Sequence, residues 1–120
     1  MNIDIQAHDF TLTDSLIDEV EKRIISTLSR RHNEIKCISV RLGDINGPRG
    51  GDDKYCRIRV ELAGQGDVVV RDIKSDMYIA ISRAAERVSR TVSRRVKRLR
   101  EHALKHRHRN TDLLLTAESY

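Results

Sequence analysis

From Ser75 to about His106 the chain contains neither glycine nor proline, and its apolar residues recur at helical spacing. Roughly 30 residues at about 1.5 Å each make a helix of about 45 Å. That is longer than a small sheet covers, so one long terminal helix constrains every fold open to this chain. Ser75 or Asp76 can cap its start. At about 100° per residue, Ile81, Ala84, Ala85, Val88, Val92, Val96 and Leu99 fall in one sector. Arg83, Arg87, Arg90, Arg94 and Lys97 or Arg98 fall in the opposite one. The apolar side needs a sheet to cover it; the other side is a row of cations.

The segments before it supply that sheet. Ile3 and Ile5 alternate with polar neighbours in a short first strand. Thr11 or Thr13 can cap a first helix, whose buried stripe is Leu16, Val20, Ile24 and Leu28. Asp18 and Glu19 stand four residues before Lys22 and Arg23 and neutralise them, so this helix becomes electropositive only at Arg30 and Arg31. Ile38, Val40 and Leu42 form a second strand. Gly43 to Lys54 holds four of the six glycines and the only proline, and reads as a loop. Cys56, Ile58, Val60 and Leu62 alternate against Tyr55, Arg57, Arg59 and Glu61 in a third strand with one buried and one wetter face. Val68 to Ile73 makes a fourth. The expected fold is α+β in the order β-α-β-β-β-α, an arrangement of elements like that of double-stranded-RNA-binding domains. It occupies residues 1–106, ahead of a basic-to-polar, flexible tail at 107–120 that contains Leu113 to Leu115.

Charge says what such a domain can meet. Arg83 to Arg109 carries eleven of the 23 basic residues against only Glu86 and Glu101. Ordinary solvated faces mix signs; this segment barely does, and a concentrated field of one sign attracts a polyanion. Guanidinium groups suit phosphate because their fork engages two oxygens at once. The aromatics are only Phe10, Tyr55, Tyr78 and Tyr120, too few to stack bases on a sheet. Contact with nucleic acid must therefore run through phosphates. Charge alone leaves RNA, DNA, acidic proteins and anionic membranes open, although an apolar face needed by the sheet argues against membrane insertion.

Other chemistry finds less support. The glycine-rich loop, with Arg49 and Lys54, lacks the Gly-Lys-Ser/Thr ending of a phosphate loop and does not lead into a helix. A hairpin connection is the simpler reading, with Arg49 and Lys54 as optional RNA contacts. His102 and His106 share a helix face near His108, but no zincin glutamate follows and the neighbours are cationic, so no metal site is expected. No nucleophile elbow or carboxylate pair supports an enzyme, and no cofactor or small-molecule substrate is implied. Cys37 and Cys56 read as reduced, buried small residues of a cytoplasmic protein, although neighbouring strands leave a redox pair conceivable. No segment has the roughly 18 apolar residues of a membrane span.

The run Asp76-Met77-Tyr78-Ile79-Ala80-Ile81, followed by a helix with repeated bases, resembles the DMYAAI signature of the ribosome hibernation-promoting factor and ribosome-associated inhibitor family. Met1-Asn2-Ile3, Thr13 before the first helix and the element order fit as well, over roughly residues 1–105. The resemblance implies a four-stranded sheet with two helices packed on one face, binding to ribosomal RNA of the small subunit in the mRNA and tRNA channel, and inhibition of translation under stress or in stationary phase. Arg87, Arg90, Arg94 and Arg98 stand at the family's basic helix positions; Arg83 is basic by this chain's own pattern. The expected RNA-binding set is Arg83, Arg87, Arg90, Arg94, Lys97, Arg98, Arg30 and Arg31. Two departures stand out. The glycine-rich loop is longer than the family's short hairpin, and no second C-terminal domain follows, which implies a short form without its own ribosome-pairing domain. A generic binder of structured RNA and a regulator that meets an acidic protein are the competing readings.

Overall fold

The computed structural model describes the backbone of residues 2–8, 11–45, 53–64 and 66–118, with side chains as far as Glu101. Strand β1 (Asn2–His8) leads to helix α1 (Asp14–Leu28) and a single 3-10 turn (Ser29–Arg31). Strands β2 (Ile35–Asp44), β3 (Lys54–Leu62) and β4 (Asp67–Lys74) follow, then helix α2 (Met77–Glu118). The sheet order is β1-β2-β3-β4, with β1 parallel to β2 and the other pairs antiparallel. Only the β1–β2 step needs a crossover, and α1 provides it.

Local chemistry sets the helix starts. Of the two candidate caps for α1, Thr13 is used: its hydroxyl accepts from the Leu16 N–H at 3.2 Å. Asp76 rather than Ser75 caps α2, accepting from the Tyr78 N–H at 2.8 Å. No glycine or proline follows Gly66, so nothing in the backbone chemistry stops α2 at residue 106, and its helix runs on to Glu118.

The core lies between the sheet and the two helices. Leu16, Val20, Ile24 and Leu28 of α1 are buried, as are Ile81, Ala84, Ala85, Val88, Val92 and Val96 of α2. Leu99, expected to continue that stripe, is half-buried. Across the sheet the register stacks Ile3, Ile38, Val60 and Val68 in one row and Ile5, Val40, Ile58 and Val70 in the next. These rows face the helices, and alternation sends the intervening residues to the opposite face.

Gly43 and Lys54 belong to the strands rather than to the loop. The ladder extends to the Asp44–Lys54 pair, and Lys54 Nζ lies 2.5 Å from Asp44 and 3.5 Å from Asp53. The hydrogen bond to Asp44 raises the Lys54 pKa above its ordinary value. Lys54 thus closes the base of the hairpin, while Arg49 lies outside the described residues. Gly43 leaves room for its neighbour: a Cβ there would sit 2.4 Å from the outer edge of the Tyr55 ring on the adjacent strand. Gly43→Ala should therefore displace Tyr55 and destabilise the domain by about 1–3 kcal/mol, measured by urea unfolding; an unchanged midpoint would show that the ring moves at no cost.

The register also removes the redox pair. Cys37 pairs with Glu61, whereas Cys56 pairs with Leu42, five residues along β2. At about 3.3 Å per residue that is roughly 17 Å, and the odd spacing puts the two thiols on opposite faces. Both are free. Burial pushes the Cys56 thiol up to about 12, and a hydrogen bond to Glu61 pushes the Cys37 thiol up.

Candidate nucleic-acid interface

Helices α1 and α2 lie side by side on the sheet, pinned where the Ser89 hydroxyl donates to the Thr27 carbonyl at 2.9 Å. A serine at this position lets the helices approach closely and leaves a groove above the contact. Ser26, Thr27, Ser89 and Ser93 line it together with Arg30 and Arg31. A second hollow, lined by Arg31, Ser93, Arg94, Lys97 and Arg100, shares Arg31 and Ser93 with the first. The two form one trough with hydroxyls in its floor and cations on its walls. The hydroxyls of Ser26, Thr27 and Ser89 already donate to backbone carbonyls, so the guanidinium and ammonium groups of the walls are the donors that phosphate oxygens can accept from.

The 3-10 turn is what brings Arg30 and Arg31 here. It continues α1 by three residues and carries both arginines in its last turn, where the carbonyl end of the helix favours positive charge. Sequence spacing along α2 alone does not reveal that these arginines face Arg94 and Lys97 across a groove. At the far end Arg100 is ion-paired with Glu34, so it closes the trough as a neutralised wall.

The expected row on α2 therefore divides. Arg94 and Lys97 line the trough. Arg83 and Arg98 are exposed on the helix. Arg90 is exposed too, with Glu86 at 3.8 Å, a distance at which a surface pair contributes little. Arg87 turns the other way: its guanidinium donates to the Arg71 carbonyl at 2.8 Å and to Asp72 at 3.1 Å, both on β4. It ties α2 to the sheet edge. The described residues of α1 include the expected Arg23–Glu19 pair at 2.9 Å.

Among the described residues no group of three or more His, Cys, Asp or Glu side chains is arranged to hold a metal ion. The histidine cluster at His102, His106 and His108 lies outside the described side chains. No helix among the described residues is long and apolar enough to cross a membrane.

The fold has known relatives. Residues 3–100 match the family model described as sigma 54 modulation protein / S30EA ribosomal protein. The crystal structure of the Thermus thermophilus Protein Y N-terminal domain is similar at 29% identity and a TM-score of 0.64, covering 78% of this chain and 98% of that one. A ribosomal subunit interface protein from Coxiella burnetii shares the fold at 17% identity and a TM-score of 0.68, covering 81% of this chain and 99% of that one. No curated protein sequence matches the chain. The chain thus belongs to the sigma 54 modulation protein / S30EA ribosomal protein family, the family of ribosome-associated hibernation factors whose signature opens α2.

Proposed function

We propose that this protein binds the small ribosomal subunit through phosphates of ribosomal RNA, lies in the channel used by mRNA and tRNA, and so inhibits translation in stressed or stationary cells. The trough between α1 and α2 carries the reading: Arg30 and Arg31 line one part of it, and Arg31, Arg94 and Lys97 line the other. Arg83, Arg90 and Arg98 extend the positive surface outward along α2. Family membership directs this surface toward the ribosome, and the Coxiella burnetii neighbour is described as a ribosomal subunit interface protein. The protein acts in the cytoplasm by occupying the channel rather than by catalysis.

Co-sedimentation with small subunits over a salt series tests the proposal. Each phosphate contact adds about 0.7–0.9 to the log–log salt slope. Four contacts in the trough predict a slope of about −3 or steeper, with binding lost as salt rises. Absence of the protein from ribosomes of starved cells, or binding indifferent to salt, would overturn it. Binding to a free RNA duplex without small-subunit association would select a generic RNA-binding role instead.

A further inference from the structure

The sheet face turned away from the helices carries a second basic site. Cross-strand register places Gln6, Arg41, Arg57 and Arg71 side by side on four adjacent strands. All three arginines are exposed, and Arg41 and Arg71 stand two strand spacings apart, about 10 Å. Like charges directly opposite one another in a sheet are destabilising. Carboxylates relieve this one row away: Arg59 is hydrogen-bonded and ion-paired to Asp67, with Glu61 at 3.8 Å. Among the described residues Arg41 and Arg57 have no such partner.

The row is also built rather than merely loose. Tyr55 lies across Gly43, where no side chain fits, and the Arg71 guanidinium sits 4.8 Å from the Tyr55 ring centroid. The ring holds that guanidinium by cation–π attraction without neutralising its charge. Beside the row is a hollow of about 180 Å³ lined by Asp4, Gln6, Ser39, Arg41, Arg57 and Arg59. Asp4 accepts from the Gln6 amide at 3.2 Å, so this edge of the hollow carries one carboxylate against the three arginines Arg41, Arg57 and Arg59.

We infer that Arg41, Arg57 and Arg71 form a second phosphate-binding site, on the face opposite the helix trough, which takes the backbone of a separate RNA segment. The protein is then two-sided, holding one strand against its helices and another against its sheet. The inference extends the RNA-binding part of the proposed function, but its test needs no ribosome and can fail separately.

The test is the binding of a uridine octanucleotide at low salt, followed by calorimetry and by salt titration, with the full chain. Wild type should bind two equivalents. R41Q/R57Q should bind one, with a salt slope smaller by about 1.4, at roughly 0.7 per single-strand phosphate contact. These two arginines have no protein partner to lose, so the thermal midpoint should stay level or rise. R31E/R94E/K97E should lose the other equivalent and keep the sheet-side one. Competition with inorganic tripolyphosphate separates the sources of phosphate. Weaker binding than the octanucleotide supports an RNA strand, and tighter binding lost in R41Q/R57Q overturns RNA in favour of a free phosphate compound. R41Q/R57Q that binds like wild type in both stoichiometry and slope overturns the site. So does wild type that takes up a single equivalent which R41Q/R57Q retains. A single equivalent lost in R41Q/R57Q and kept in R31E/R94E/K97E supports the sheet site and removes the trough instead.

Discussion

Reversal of Arg31, Arg94 and Lys97 to glutamate should abolish small-subunit binding and leave the domain folded. All three line the trough between the helices, and none of them is ion-paired among the described residues. A charge-assisted hydrogen bond is worth about 1.5–3 kcal/mol, so three lost contacts amount to at least about 4.5 kcal/mol. That corresponds to a loss on the order of a thousandfold or more, before the repulsion added by the new carboxylates. Co-sedimentation measures the loss, and thermal unfolding monitored by circular dichroism checks the fold. A triple variant that still binds normally would remove the trough from the interface.

Arg87→Gln makes the informative contrast. On α2 alone it is indistinguishable from Arg94. In the structure its guanidinium bridges to the Arg71 carbonyl and Asp72. Its loss should therefore appear as a small drop in stability, under about 1 kcal/mol for so exposed a pair, with little change in the salt slope.

Leu28→Ala is expected to cause the largest loss of stability. Leu28 is fully buried at the end of α1, immediately after Thr27, whose carbonyl accepts from Ser89. A buried leucine truncated to alanine costs about 2–5 kcal/mol. Each kcal/mol lowers the midpoint of a domain this size by about 4–8 °C, so a loss of about 3 kcal/mol means a fall of about 12–24 °C. Leu28 also lies two residues before Arg30, so the surviving folded molecules should bind more weakly as the cavity relaxes. Ile25→Ala on the exposed side of α1 (Ile25 is 52% exposed) should stay within about 0.5 kcal/mol of wild type. Equal midpoints for the two variants would contradict the assigned packing.

Much of the fold was legible because helices and strands are local. The 3.6-residue period in α1 and α2 and the two-residue alternation in β3 each follow from the geometry of one element, and the residues they marked are the core. The strand ends were less legible. Gly43 and Lys54 look like loop residues by composition, and only pairing across the hairpin draws them into the ladder. The end of α2 was similarly obscure, since residues 107–120 looked like a tail by composition although nothing in them interrupts a helix.

The site divides along the same line. Residue order alone shows that α2 has an apolar side and an arginine side, and that too few aromatics exist for base stacking. Its DMYIAI run also pointed to the family before any fold was seen. Which arginines lie near one another follows only from the folded chain. The packing of α1 on α2 brings Arg31 to the same hollow as Arg94 and Lys97, and strand register aligns Arg41, Arg57 and Arg71. The reason is physical: rotation along one element is a property of neighbouring residues, whereas helix spacing and strand register depend on contacts between residues far apart in the chain.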